Sequence, residues 1–362
     1  MWKTRITELL QINYPIIQAP MAGGPTTSEL AAAVSNAGGL GTIGAGYMNP
    51  EQIRKQIREI RDLTDKPFGI NLFVPSSYKA SQEELEIGIR HAREIASMLG
   101  NSFDYPDFPD YEGDFDVFNE QLQVVKEEGV AVCSFTFGLP SKESIQDLKE
   151  LGIIVMGTAT TVDEAILNEE AGMDAVTMQG SEAGGHRGTF TMGVPESLIG
   201  SMALIPQASD SVQLPVIAAG GIMDGRGLLA ARILGAEGVQ MGTAFLTTQE
   251  SGAQQVYKEK LLSSTETQSV LTRSFSGKLA RGIENEFIRR SRDLEDSLPP
   301  YPIQNTLTKG IRKLAGEQKN PEYLSLWSGQ SVRLSRNLTA SELMGRIIKE
   351  AEKAANLIKK TF

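Results

Sequence analysis

Eight short apolar runs, separated by longer segments of helical period, restrict this chain's fold more than any other feature. They are Ile16 to Ala19, Leu40 to Ile43, Phe68 to Phe73, Val130 to Phe135, Ile153 to Met156, Ala175 to Gln179, Val216 to Ala219 and Gly238 to Met241. Runs of four to six apolar residues alternating with amphipathic segments are the pattern of strand-helix units around a parallel sheet. Eight such units close a (β/α)8 barrel, whereas a doubly wound sheet usually has fewer strands and a reversal of strand order.

The intervening segments carry helix signals. Asn49 stands before Pro50-Glu51-Gln52, which sets a capping side chain, a proline at the first helical position and the glutamine of a capping box in register. Ile53, Ile57 and Ile60 then share one face. The same reasoning predicts helices at about Ser28 to Ala37, Ser141 to Leu151, Val162 to Ala171 and Gly225 to Leu234, stopped at Gly38, Gly152, Gly172 and Gly235.

Two stretches break this rhythm. Gly100 to Asp116, with Tyr105-Pro106-Asp107-Phe108-Pro109-Asp110-Tyr111, is proline-rich and acidic and is expected as a surface insertion after the third strand. From about Thr247 to Ser331 the alternation gives way to helical, charged sequence, expected as a mostly helical cap lobe over the barrel mouth. Ala340 to Lys360 then returns as a long amphipathic helix. The division expected is a barrel over residues 1–246, completed by a C-terminal helical segment over 332–362, and a cap or substrate lobe over 247–331. The single cysteine, Cys133, sits inside the fourth run, as a buried structural thiol would. His91 lies in a helical run, where a solvated helix face explains it.

Charge narrows the partners. A formal net charge of −10 argues against nucleic acid or an anionic membrane, either of which would repel the chain at long range. The segment Met1-Trp2-Lys3-Thr4-Arg5-Ile6 lacks a signal-peptide pattern, and no stretch of about 20 apolar residues occurs, so a cytoplasmic protein acting on a small molecule is expected. With two histidines far apart and one cysteine, no metal-ligand cluster is expected. Gly39 to Gly44 matches GxGxxG but lies on the strand itself, and no helix opens until Pro50, so it is not a dinucleotide fingerprint. Asn337-Leu338-Thr339 matches a glycosylation acceptor, which has no meaning in a cytoplasmic chain.

Barrel enzymes collect their chemistry at the C-terminal ends of the strands. There the seventh run leads into Gly220-Gly221-Ile222 and the eighth ends Gln240-Met241-Gly242-Thr243, two turns that would expose backbone N–H groups where barrels commonly hold a phosphate. They could equally be tight turns that only the fold requires. Asn71 and Gln179 end the third and sixth runs; each carboxamide offers a donor and an acceptor that suit a flavin ring, or would satisfy buried backbone. Gln179 to Gly188 is a glycine-rich loop carrying His186, the side chain best matched to proton transfer near neutral pH, though a lone histidine is more often structural. Arg187 beside it could hold an anionic substrate or form a surface salt bridge.

Taken in order, Gln18 to Pro25, Ala37 to Gly41, Gly69-Ile70-Asn71, Glu182-Ala183-Gly184-Gly185-His186, Ala219 to Ile222, Gln240 to Thr243 and Leu326-Trp327-Ser328-Gly329-Gln330 resemble the successive motifs of nitronate monooxygenases, formerly called 2-nitropropane dioxygenases. The resemblance implies an FMN whose phosphate is held by Gly221 and by Gln240, Met241, Gly242 and Thr243. It implies that Asn71, Gln179 and Gly184 contact the cofactor, that Met21 and Ala22 line its ring through their backbone, and that His186 is catalytic. The activity implied is oxidation of an alkyl nitronate, propionate 3-nitronate among the candidates, with O2 to a carbonyl compound and nitrite, without nicotinamide. For a neutral nitroalkane His186 would remove the α-proton. FMN-type enoyl-acyl-carrier-protein reductases share the Glu-Ala-Gly-Gly-His loop, so an NADH-dependent reductase is the alternative enzyme. A flavin-binding barrel without turnover is the alternative outside enzymes.

Overall fold

The computed structural model describes residues 1–103, 108–191 and 195–361. All eight expected runs form parallel strands of one sheet. In chain order these are β1 (Ile16–Gln18), β2 (Gly41–Gly44), β3 (Phe68–Phe73), β4 (Val132–Thr136), β5 (Ile154–Ala159) and β6 (Ala175–Gln179); a two-residue strand outside the barrel, β7 (Gly185–His186); then β8 (Val216–Ala219) and β9 (Gly238–Met241). The sheet order is β1-β9-β8-β6-β5-β4-β3-β2, and the parallel bridge from Ile17 to Leu40 joins its ends into a barrel.

Strand alternation sorts the barrel interior by polarity. On β4 the residues Val132, Ser134 and Thr136 recur at period two, as do Ala175, Thr177 and Gln179 on β6. The first of each set joins Ile17, Leu40, Met156 and Ile217 in an apolar layer closed from below by Ile6, Leu10 and Ile12 of the N-terminal segment. Burying an aliphatic side chain of this size contributes about 1.5 to 3 kcal/mol, so the lower barrel is filled. The last of each set is polar and faces an open cavity at the C-terminal mouth.

The helix signals hold. Asn49 and Gln52 make the reciprocal capping box that opens the helix Pro50–Leu63, and Ile53, Ile57 and Ile60 are fully buried. Gly38, Gly152, Gly172 and Gly235 all take the left-handed conformation that ends a helix. The helix Ala340–Thr361 closes the chain and packs Leu343, Met344, Ile347 and Ala351 into the core outside the barrel. Cys133 is buried, and burial pushes its thiol far above the usual range.

Two expectations need correction and a third needs an addition. His91 is not on a solvated face: it is 5 % exposed, and its Nε2 lies 2.8 Å from Ser291 Oγ of the lobe, which covers that side of the helix Gln82–Met98. The 100–116 segment is not wholly superficial. Asp104 to Asp107, which include part of its Tyr-Pro-Asp motif, lie outside the described residues, but Phe103 and Phe108 pack against the lobe core and Asp110 caps the helix Tyr111–Glu128. Finally, the lobe carries an antiparallel hairpin beside its helices, β10 (Ser269–Thr272) with β11 (Ala280–Ile283), and β11 pairs in turn with β7. Among the described residues no helix is long and apolar enough to cross a membrane.

Candidate active site

The loop after β6 is built around two polar side chains, the half-buried Gln179 and the buried Glu164. Gln179 donates from Nε2 to the carbonyl of His186 at 3.0 Å and accepts from the amide of Gly188 at 2.8 Å, folding the loop back over its own strand end. Beyond it Glu164, fully buried, accepts from Thr189 Oγ1, Phe190 N and Thr191 N at 2.7 to 3.0 Å. Burial alone would raise this carboxyl, but the amides of Phe190, Thr160 and Thr191 hold it below its usual value. Arg187 has neither expected role. It is 1 % exposed and spends its guanidinium on the carbonyls of Gly180, Gln179 and Ser197, facing away from the cavity as a structural clamp.

His186 is thereby set on β7, opposite Ala280 of β11. Its ring lies 5.3 Å from Trp327, 6.0 Å from Tyr301 and 6.0 Å from Phe137, centroid to centroid, and its Nε2 is 2.7 Å from Ser276 Oγ. Phe137 holds a φ of 74°, a left-handed conformation that costs an L-residue about 1 to 2 kcal/mol. Lys278 Nζ stands 4.6 Å from the Phe137 ring centre. Burial first, then the charges of Lys278 and Arg312, pull the His186 imidazole down to about 3, so it is neutral at pH 7. Burial likewise brings the Lys278 ammonium down to about 8.

His186, Phe137, Lys278, Tyr301, Arg312 and Trp327 line a cavity of roughly 840 Å³ between the barrel mouth and the lobe. Met21, Ala22, Asn71, Gln179, Gly184, His186, Gly221, Gln240, Gly242 and Thr243 all line it, so the structure brings together every site residue expected from sequence except one. Met241 does not line it. Its side chain is 1 % exposed and packs outward among the helices, because inward and outward positions alternate along β9, while its carbonyl accepts from Ala19 N at 2.8 Å. Asn71 donates to Ser134 Oγ and Thr136 Oγ1 at 3.0 and 3.1 Å, which fixes its carboxamide at the mouth.

The arrangement fits a phosphate-bearing ring cofactor. Gly220 and Gly221 take φ values of 114° and 69°, which side chains rarely adopt, and line the cavity together with Ser331. Gly184 is required by close approach: a Cβ there would lie 2.5 Å from Gly329 N and from Ser328 C. The lobe's last segment is thus strapped over the loop, with Gly329 N donating to Thr243 Oγ1 and Gln330 N to the Glu182 carbonyl.

Sequence reasoning missed Tyr47, Ser276, Lys278, Tyr301 and Arg312, which bring polar and cationic groups to the cavity and its histidine. Ser276 and Lys278 flank Gly277, whose φ of 80° marks a turn, but nothing local connects that turn with a histidine ninety residues earlier.

A closed barrel that offers glycine turns on its last two strands and amides around the rest of its mouth belongs to the flavin-dependent oxidoreductases. Comparison with known proteins narrows this. The model of the family described as nitronate monooxygenase matches residues 3–350. A probable nitronate monooxygenase of Staphylococcus haemolyticus is 49 % identical over 362 residues, covering 99 % of this chain and all of that protein. Among solved structures, nitroalkane oxidase from Streptomyces ansochromogenes superimposes with a TM-score of 0.89 at 37 % identity, covering 98 % of this chain and 99 % of that one. FabK from Thermotoga maritima does so with a TM-score of 0.79 at 34 % identity over the full length of both chains. The chain belongs to the nitronate monooxygenase family.

Proposed function

We propose that this chain oxidises alkyl nitronates with dioxygen to a carbonyl compound and nitrite, using FMN and no nicotinamide. The observation that carries this reading is a neutral imidazole sharing one cavity with two cations, Lys278 and Arg312, neither of which has a carboxylate partner among the described residues. A nitronate is an anion. Unit charges about 4 Å apart at an effective dielectric of about 20 attract by about 4 kcal/mol, enough to favour the nitronate over its neutral parent. The cations that depress His186 also stabilise the anion formed when it takes a proton, so the weak base is assisted from the product side.

In this reading the barrel over 1–246 holds the cofactor and the lobe over 247–331 the substrate. Gly221 and the Gln240 to Thr243 turn would hold the FMN phosphate, with Met241 contributing backbone only, and Met21, Ala22, Asn71, Gln179 and Gly184 would line the ring. Bound there, FMN supplies the redox chemistry that links nitronate to O2. Arg312, from the lobe helix Ile303–Glu317, lies with Tyr47 and Tyr301 at the lobe side of the cavity and suits a second anionic group, which favours a carboxylated nitronate such as propionate 3-nitronate.

The similarity to FabK and the shared Glu182 to His186 loop make an NADH-dependent enoyl reductase the reading to exclude. Under anaerobic conditions propionate 3-nitronate should bleach the bound flavin rapidly while NADH leaves it yellow, and cofactor released by heat should co-migrate with FMN. Rapid bleaching by NADH alone would favour the reductase, and released FAD would overturn the cofactor assignment.

A further inference from the structure

We propose that Ser276 is a positioning residue that fixes the tautomer of His186, placing the proton on Nε2 and leaving the Nδ1 lone pair as the atom that meets the substrate. The proposal rests on the reading of His186 as a base, and it assigns the proton transfer to one ring nitrogen.

The argument is a count of donors and acceptors. Ser276 is buried, and its hydroxyl has one proton and two acceptor sites. Three groups surround it: the carbonyl of Lys278 at 3.1 Å, which can only accept; the amide of Lys278 at 3.3 Å, which can only donate; and His186 Nε2 at 2.7 Å, which can do either. If the hydroxyl proton goes to the Lys278 carbonyl, both acceptor sites are filled by the Lys278 amide and by Nε2–H, and every group has its partner. If the proton goes to Nε2 instead, the Lys278 carbonyl loses its hydroxyl donor, a loss that the first arrangement avoids.

The other ring nitrogen completes the picture. Nδ1 has no hydrogen-bond partner among the described residues and is not one of the buried unpartnered polar atoms, so it opens on the cavity that His186 lines. The serine sits on the turn between β10 and β11, and β11 is the strand that pairs with His186 through Ala280, so one hairpin sets both the backbone and the ring. A hydroxyl orients the imidazole without adding a negative charge, consistent with a ring kept neutral beside Lys278 and Arg312. In the reaction the α-carbon's C–H bond breaks, the proton goes to Nδ1, and the electron pair stays on the substrate, spread over carbon and the nitro oxygens. Nε2–H keeps its bond to Ser276 throughout, so the imidazolium forms without the ring turning.

The chain's two histidines make the test direct. In protein labelled with 15N-histidine, the resonances absent from His186→Asn belong to His186. In the wild type they should report a neutral ring protonated at Nε2 across pH 6 to 8. In Ser276→Ala they should move toward a mixture of tautomers, and kcat for a neutral nitroalkane should fall roughly tenfold, the equivalent of one neutral hydrogen bond, with KM little changed. Ser276→Thr, which keeps the hydroxyl, should restore both. A wild-type ring protonated at Nδ1, or a Ser276→Ala variant with unaltered 15N shifts, would overturn the proposal. Failure of the base assignment itself reads differently: His186→Asn would then keep its nitroalkane activity whatever the tautomer.

Discussion

Replacing His186 by asparagine should lower kcat/KM for a neutral nitroalkane by about 10²- to 10⁴-fold, the span that general-base assistance usually supplies, and should cost a preformed nitronate far less. The difference follows from where the proton is. A nitroalkane must lose its α-proton before oxidation, and His186 is the neutral imidazole at the cavity. A nitronate has already lost it, and binding then rests on Lys278 and Arg312, which the substitution leaves in place. The backbone pairing of β7 with β11 does not depend on the side chain, and asparagine can still bond Ser276, so the variant should fold and keep its flavin. The comparison to make is the ratio of kcat/KM for the two substrate forms in each protein, with the flavin spectrum recorded alongside. Equal losses on both would make His186 a binding group, and no loss on either would make it structural.

Gly184→Ala should be the more disruptive change although it adds one carbon. The new Cβ would stand 2.5 Å from Gly329 N and from Ser328 C, both backbone atoms that no rotamer change can move aside. Relief requires the lobe's final segment to lift from the loop, which would stretch the bonds from Gly329 N to Thr243 Oγ1 and from Gln330 N to the Glu182 carbonyl. Overpacking in a fitted interior costs about 1 to 3 kcal/mol, and a clash between two backbones belongs at or above the top of that range. We expect a lower thermal midpoint together with loss of flavin on gel filtration, because the strap bears on Thr243 at the proposed phosphate turn. Gly345→Ala is the control. It lies in the helix Ala340–Thr361 with open space around it, so alanine should stabilise by about 0.5 to 1 kcal/mol and leave the flavin untouched. A Gly184→Ala protein as stable and as yellow as this control would show that the strap is not a fitted joint.

The barrel was legible because its signals are local. Each strand is a short, mostly apolar run of three to six residues, and the helix from Pro50 carries its first turn and buried face within fourteen residues, with its cap at Asn49. The mouth residues on strand ends and glycine turns were legible for the same reason, once eight strands fixed which ends mattered. What failed was whatever depends on a distant partner. The helix around His91 buries Gly88, Ala92, Ile95 and Ala96 on the side the lobe covers, a mostly small-residue face that does not show in sequence that His91 is covered with it. Arg187 reads as a free charge until the carbonyls of Gly180 and Ser197 are folded onto it. Met241 was included as part of a turn, and the alternation along β9 sends its side chain the other way. The hairpin of β10 and β11 is two four-residue strands holding Arg281 and Gly282, too short and too mixed in polarity to stand out from helical surroundings. Ser276, Lys278 and Arg312 reach the site only through that hairpin and the helix behind it.

The most direct test of the proposed activity is an oxygen-electrode assay with nitrite measured in the same vessel, using the flavin-loaded protein and propionate 3-nitronate with neither NADH nor NADPH present. The account predicts oxygen uptake that begins on addition of the nitronate, nitrite released in step with it, and no stimulation by NADH. Absence of oxygen uptake with the nitronate, together with NADH-dependent reduction of the flavin and its reoxidation by an enoyl thioester, would contradict it.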